Sequence, residues 1–208
     1  MQEGWILEES GDETRQSRSR TPLLRESGRS AILDRAASVL SEGGLSMSMS
    51  EVAGAVGVGR ATLYRYFPTR QALLDSIYSE AMDELAEVIL STKRSGLSTR
   101  DSLARIARAV LAKAGVAFLL MRERVVLDKA AVEEGFIGPL SSMIEKAEQH
   151  DVFREGISSR AITFYFLGLL RSGIVLVAEG TSNVEEATAN VISLLFDGIA
   201  GNVKARQE

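Results

Sequence analysis

Residues 48–68 read SMSEVAGAVGVGRATLYRYFP, and this stretch decides the fold of the amino-terminal part of the chain. It opens with a capping-box pattern, in which the hydroxyl of Ser48 accepts from the amide of Glu51 and the Glu51 carboxylate accepts from the amide of Ser48. The apolar helix that begins there ends at Gly57, because glycine readily takes the left-handed conformation of a helix exit. A second helix follows after a short turn. Pro68 ends it, because the residue before a proline is pushed out of helical geometry.

Two short helices joined by a glycine-containing turn predict a helix-turn-helix, the unit that seats its second helix in the major groove of DNA. That groove is about 12 Å wide and admits one α-helix. In the second helix, Leu63 and Phe67 share a face that suits packing on a core. The opposite side carries hydrogen-bond donors, and a small residue there permits close approach to the bases. These outward positions are Arg60, Ala61, Thr62, Arg65 and Tyr66.

Helical patterns continue on both sides of this unit. Apolar residues at spacings of three and four predict an amphipathic helix over 29–43 before it and a long helix from Thr69 after it. Ser95-Gly96 predicts a break, and Ser98 predicts the cap of the next helix. Further helices are predicted at roughly 115–130, 137–150, 158–179 and 184–203. Because no segment alternates in the way of a half-buried strand, we predict an all-α fold of about nine helices.

The charge of the chain is unevenly distributed. The net charge is −4, yet residues 15–70 carry nine basic residues against four acidic ones. Residues 1–14 carry five acidic residues and no base, and residues 71–208 carry 15 basic residues against 19 acidic ones. The positive charge therefore surrounds the predicted helix-turn-helix, as contact with phosphate requires.

Residues 1–27 contain little that can form a core, and we predict a flexible arm there. Its second half carries four bases, Arg15, Arg18, Arg20 and Arg25. Two interpretations stay open. The arm is either an unstructured leader, or a basic segment that follows the phosphates or enters a minor groove beside the main contact.

Several classes of site are excluded by composition. The chain has no cysteine and a single histidine, His150, so no disulfide, thiol nucleophile or histidine-based metal site is expected. It also lacks a Gly-x-Ser-x-Gly elbow and a phosphate-binding glycine loop. The carboxylates of Glu133 and Glu134 fall at a predicted helix start, where negative charge is favourable in any case. We predict no catalytic residue, no metal and no cofactor.

The segment Ala161–Ala178 is close to the minimum length of a membrane span. Arg171 lies inside it, and an arginine at mid-bilayer costs about 2.5–3.5 kcal/mol on insertion scales. A helix buried between protein layers explains the segment without that cost, so we predict no membrane partner. The first residues are not a basic stretch leading into an apolar one, so a cytoplasmic location is expected.

The stretch from Met49 to Leu74 resembles the DNA-binding domain of the TetR family of repressors. The family signature runs from an alanine and a Gly-Val turn to a Leu-Tyr-X-His/Tyr-Phe-Pro motif, followed by a polar residue, a base and Leu-Leu. Its counterparts in this sequence are Ala55, Gly57-Val58, Leu63–Pro68, Thr69, Arg70 and Leu73-Leu74. The resemblance covers about residues 29–75. It implies a DNA-binding domain over 28–75 and a regulatory and dimerisation domain over 76–208.

The resemblance also implies roles for individual residues. Tyr64 corresponds to the tyrosine that contacts phosphate, Tyr66 stands where histidine is commoner, and Arg70 stands where lysine is usual. The other positions implied to contact DNA are Ser48, Ser50, Arg60, Ala61, Thr62 and Arg65. Two alternatives stay open: the tyrosines are core aromatics, and Arg65 is a solvated surface charge. Gly59 departs from the family, which often has a small hydroxyl residue there to cap the second helix and bind phosphate.

The partners implied by the resemblance are double-stranded operator DNA, an unidentified small-molecule effector and a second copy of the chain. The homodimer is expected to form through the last two helices, about 158–179 and 184–203. The apolar positions assigned to the first of these helices include Ile162, Tyr165, Phe166, Leu170 and Ile174. The candidate pocket lining is Phe118, Met121, Phe136, Met143, Phe164 and Arg171. We expect Arg171 to be buried and to need a partner, which is either an acidic ligand or, as we favour, a protein carboxylate such as that of Glu179.

The function that follows is a ligand-responsive repressor that reads operator DNA. Three alternatives stay open: a constitutive or activating regulator without a pocket, a small helical enzyme, and a helical protein-interaction module. A regulator without a pocket has an evenly filled core. An interaction module shows no salt-dependent affinity for DNA.

Overall fold

The computed structural model describes residues 28–42, 46–123, 129–148, 153 and 156–198. Over these residues the chain is helical and contains no strand, so the all-α prediction is confirmed. The predicted arm over 1–27, His150 and the end of the last predicted helix lie outside the described residues.

The amino-terminal part contains four helices. They are α1 (28–42), α2 (Met49–Val56), α3 (Arg60–Tyr66) and α4 (Arg70–Arg94). The capping box at the start of α2 is present: the Glu51 amide donates to the Ser48 hydroxyl over 3.3 Å, and the Ser48 amide donates to the Glu51 carboxylate over 2.7 Å. The hydroxyl of Thr69 caps α4 by accepting from the amide of Ala72 over 3.0 Å.

The remaining helices follow the predicted breaks. They are α5 (Thr99–Ala112), α6 (Ala114–Arg122), α7 (Lys129–Val132), a π-helical turn (Glu133–Ile137), α8 (Gly138–Glu148), α9 (Ser159–Ala178) and α10 (Val184–Phe196). The break before α5 occurs at Gly96 with φ 68°, and Ser98 caps α5 as predicted. Asn183 caps α10. Since α7, the π-turn and α8 are continuous, the described residues form nine helical runs.

Two predictions of detail are wrong in this part. The helix expected over 115–130 ends at Arg122. Glu133 and Glu134, expected at the start of a helix, lie in the π-turn inside the run 129–148.

Buried apolar side chains form two clusters. The amino-terminal core takes its residues from α1 to α4 and also from α6. It consists of Ile32, Leu33, Ala36, Leu40, Met49, Val52, Ala53, Val56, Leu63, Phe67, Leu73, Leu74, Ile77 and Leu119. The carboxy-terminal core joins Ile89 of α4 to α5, α8, α9 and α10 around Phe166. Because α4 enters both cores and α6 reaches back into the first one, these two helices connect the two parts of the molecule.

The packing of the long apolar helix α9 differs from the prediction that its apolar residues form a dimer interface. Ile162, Phe166, Leu170 and Ile174, four of the residues expected in a dimer interface, are buried in the carboxy-terminal core of the protomer. The face that remains outside has its own apolar side chains, Phe164, Tyr165 and Leu176. By length and composition α9 is the one described helix that could cross a membrane. Its inner face is instead packed within the core.

Candidate nucleic-acid interface and ligand pocket

The helices α2 and α3 meet at a left-handed glycine turn. Gly57 has φ 82°, and its amide donates to the carbonyl oxygens of Ala53 and Gly54. The amide of Val58 also donates to the carbonyl oxygen of Ala53, over 2.9 Å. Because a side chain is strained at this φ, glycine at position 57 allows α3 to begin only three residues after α2 ends.

The side chains that α3 turns towards the core are those predicted from the sequence. Leu63 and Phe67 are fully buried in the amino-terminal core. The guanidinium of Arg29 on α1 lies 5.1 Å from the centre of the Phe67 ring and covers it. With its inner side fixed by these contacts, α3 has a defined outward side.

That outward side is donor-rich and accessible. Arg60, Ala61, Tyr64 and Arg65 are exposed, and Thr62 is half-buried. Tyr64 is 42% exposed, so the alternative of a core aromatic does not describe it. Gly59 provides no side-chain cap for α3, as its identity requires.

Tyr66 is placed differently from the rest of the predicted set. It is half-buried and packs against the amino-terminal core, with its ring 6.4 Å from that of Phe67. The guanidinium of Arg65 lies 5.1 Å from the centre of the Tyr66 ring. Tyr66 therefore supports α3 from the side, and the exposed guanidinium of Arg65 lies over its ring.

The two serines at the start of α2 have local partners or partial burial. The Ser48 hydroxyl is the N-cap, and Ser50 is half-buried in the first turn. The hydrogen bond from the Ser48 amide, together with that from its hydroxyl, lowers the pKa of the Glu51 carboxyl. The capping box therefore keeps Glu51 ionised at the start of α2, where the helix dipole favours a negative charge.

Arg70, the predicted phosphate ligand at the start of α4, is engaged within the protein. Its Nη1 donates to the carbonyl oxygen of Met47 over 2.6 Å, and its Nη2 donates to Oε1 of Glu123 over 2.5 Å. Both side chains of the ion pair are mostly buried, at 26% and 21% exposure. The guanidinium thus joins the entry of α2, the start of α4 and the end of α6.

An apolar pocket of about 270 Å³ lies between α4, α5, α6 and α9. Its lining is Tyr78, Ala81, Met82, Leu85, Val110, Lys113, Val116, Ala117, Leu120, Met121 and Ile174. Lys113 is the single charged residue of this lining, and its ammonium group forms an ion pair with the carboxylate of Glu84.

Of the six residues predicted to line a pocket, Met121 lines this one. Phe118, Phe136 and Met143 are partly buried against the carboxy-terminal core, and Met143 also lines a second pocket of about 540 Å³ beside α8. Phe164 and Arg171 are exposed on the outer face of α9. The expectation of a buried Arg171 paired with Glu179 is wrong for the protomer, because both side chains are exposed. Residues 164 and 171 are about two helical turns apart and share the outer face of α9.

Two side chains of α6 face both the pocket and the DNA-binding part. Val116 and Leu120 line the pocket, and both also pack against the amino-terminal core. Leu119 between them is 3% exposed and belongs to that core. One helix therefore forms a wall of the pocket and a wall of the domain that contains α2 and α3.

Sequence reasoning missed Glu123 and most of the pocket lining. The apolar spacing of α4 identifies Tyr78 and Met82 as inward residues, but spacing alone does not tell a cavity wall from a filled core. Glu123 is separated from Arg70 by 53 residues, and no motif links the two positions.

Comparisons with known proteins agree with this geometry. The family model described as bacterial regulatory proteins of the tetR family matches residues 32–77, from α1 to the first turns of α4. The curated proteins contain no significant match to the chain.

Solved structures show the same fold over most of the chain. LfrR from Mycobacterium smegmatis, in complex with proflavine, has a TM-score of 0.67 at 23% identity, over 86% of this chain and 99% of that one. PfmR from Thermus thermophilus has a TM-score of 0.66 at 20% identity, over 82% and 99%. FadR from Bacillus subtilis, in complex with stearoyl-CoA, has a TM-score of 0.64 at 19% identity, over 82% and 98%. These structures show the fold, and the match to the family model covers residues 32–77 of the chain.

Proposed function

We propose that the protein is a cytoplasmic, homodimeric repressor that binds two-fold symmetric operator DNA through α3 and leaves it when a small molecule occupies the pocket. The observation that carries this proposal is the double role of α6, whose Val116 and Leu120 line the pocket and pack on the DNA-binding core. A ligand that displaces these side chains changes the support of α2 and α3. DNA affinity and ligand affinity are then linked.

The DNA-binding surface is the outward side of α3. Arg60 and Thr62 lie at its start, where a recognition helix contacts base edges. Arginine forms a bidentate pair with O6 and N7 of guanine, the commonest specific contact in the major groove. Tyr64, which is exposed, is suited to donate to a phosphate oxygen.

A dimer is supported by the outer face of α9. Phe164, Tyr165 and Leu176 are 52%, 62% and 44% exposed, an apolar surface that favours association with a second copy. Gly168 on the same face has no side chain, and a Cβ added there would meet nothing within 4 Å, which leaves room for a partner helix. A dimer also has a physical reason, because two half-sites together bind far more tightly than one short helix does.

The lining of the pocket indicates the class of ligand. Most of its residues are apolar, and the charge of Lys113 is neutralised by Glu84. An uncharged, apolar and compact molecule fits these properties, since a charged ligand has no free countercharge among the lining residues. Two structures of the same fold contain small molecules, proflavine and stearoyl-CoA, which indicates that ligands of unlike chemistry bind in this fold.

The proposal is tested by a screen of uncharged aromatic and aliphatic compounds for stabilisation of the purified protein against heat. We expect binders to raise the melting temperature and to displace the protein from DNA at the same concentrations. Compounds that stabilise the protein and leave DNA binding unchanged would argue for a constitutive regulator. Absence of any DNA binding would favour a protein-interaction module.

A further inference from the structure

The ion pair between Arg70 and Glu123 joins the start of α4 to the end of α6. We propose that Glu123 is a positioning residue that withholds Arg70 from DNA, so that the position of α6 sets how many phosphates the protein contacts. The inference rests on the DNA binding proposed above. It adds a residue and a mechanism of regulation to that site.

The geometry of the contact supports a strong interaction. Glu123 Oε1 accepts from Arg70 Nη2 over 2.5 Å, while the carbonyl oxygen of Met47 accepts from Nη1 over 2.6 Å. Hydrogen bonds between ionised groups are stronger than neutral ones. Because about three quarters of each side chain is removed from solvent, the pair is screened less than an exposed one.

The same guanidinium is suited to phosphate. Arg70 is the first residue of α4, which begins soon after α3 ends at Tyr66, and a base at a helix start can hold a phosphate together with the amides of the first turn. Carboxylate and phosphate bind a guanidinium through the same N–H donors. While Glu123 holds Nη2, Arg70 offers fewer donors to DNA, and the carboxylate adds a negative charge that repels phosphate.

The end of α6 places Glu123 under the control of the pocket. Glu123 is the C-cap residue of α6, and its amide donates to the carbonyl oxygen of Leu119. Leu120 and Met121, which shortly precede it, line the pocket. A ligand that holds the end of α6 against Arg70 therefore keeps the guanidinium from DNA, which is the direction that release on ligand binding requires, whereas Met47 and α4 belong to the DNA-binding part.

The test compares two variants that remove one negative charge each. In Glu123→Gln the bridge to Arg70 loses its charge. In the control, Asp75→Asn, an exposed carboxylate on α4 is neutralised, while an amide oxygen remains there to accept the hydrogen bond from Gln71. Fluorescence anisotropy measures the Kd for the operator selected from random DNA, at salt concentrations from about 50 to about 200 mM. Thermal unfolding verifies that each variant folds.

We expect Glu123→Gln to bind about three- to tenfold more tightly at the lowest salt and to steepen the salt slope by about 0.9, the value for one added phosphate contact. Asp75→Asn should leave the slope unchanged. The change at Glu123 should lose its effect in an Arg70→Gln background, because the residue it releases is then absent.

A second variant separates contact from charge. Glu123→Asp keeps the negative charge but shortens the side chain by one methylene, so we expect it to release Arg70 and to steepen the slope as well. If neither Glu123 variant differs from Asp75→Asn, or if both bind more weakly with the wild-type slope, Glu123 does not withhold Arg70. If the wild-type protein itself selects no DNA from the random pool, it is the proposed function that is wrong.

Discussion

The residues of α3 divide between support and contact. Leu63 and Phe67 are at 0% exposure, so substitutions there act through stability. Arg60 is exposed at the start of α3 and is not part of the core. Differences in specificity should therefore arise on the outward side of the helix, and differences in folding on its inward side.

Replacing Arg60 by alanine tests this division. If Arg60 reads a guanine, Arg60→Ala should cost about 1–3 kcal/mol of binding free energy at one base position and relax the preference there. Arg94→Ala is the matched control, since it removes the same charge at the other end of the 25-residue helix α4. Binding to a set of operators with single substitutions measures the effect. If both variants discriminate equally well among these operators, Arg60 does not read a base.

At the scale of elements, the sequence predicts those helix starts, turns and breaks that depend on the chemistry of one or two neighbouring residues. The capping box at Ser48, the turn at Gly57 and the break at Gly96 each follow from one or two residues, and each is confirmed. The outer face of α9 and the role of α6 were not predicted, because they depend on which neighbours pack against a helix. An apolar run such as that of α9 does not reveal which side is covered.

A glycine on α9 shows how closely these elements pack. A Cβ at Gly173 would lie 2.9 Å from Leu111 Cδ2, and Leu111 is fully buried. Both alanine substitutions gain helix propensity, but overpacking should leave Gly173→Ala about 1–3 kcal/mol less stable than a control Gly→Ala substitution in an open helical position. Urea denaturation measures it. The control is Gly54→Ala in α2, where a Cβ meets nothing within 4 Å; equal stability of the two variants would contradict the packing described.

The pocket permits a second test at this scale. Ala117 lines it from α6. Ala117→Phe should fill the space, so that the uncharged fluorescent probe N-phenyl-1-naphthylamine binds the wild type and is excluded from the variant. Circular dichroism verifies that the variant folds. Probe binding that is unaffected by the substitution would place the apolar site elsewhere.

At the scale of the whole molecule, binding to a two-fold symmetric operator requires a two-fold dimer. The protomer leaves Phe164, Tyr165 and Leu176 exposed on α9, and none of them belongs to its carboxy-terminal core. A carboxylate introduced into this face should prevent association, because an unpaired charge is costly to bury. The fold of each protomer should survive such a change.

Tyr165→Glu should therefore give a folded monomer with much weaker operator binding. Sedimentation equilibrium and circular dichroism measure the mass and the helix content. Leu90→Glu is the control, because Leu90 is 47% exposed on α4 and so places the same charge on a different helix. A dimer that withstands Tyr165→Glu would show that the interface lies on another surface.

The most direct measurement of the central claim is selection of random double-stranded DNA by the purified protein at two salt concentrations, read by sequencing. We expect enrichment of a two-fold symmetric motif with half-sites about one helical turn or a multiple of it apart, and a steep loss of affinity as salt rises. Enrichment of no motif, both by the protein as purified and after unfolding and refolding to remove any bound ligand, would contradict operator recognition by α3.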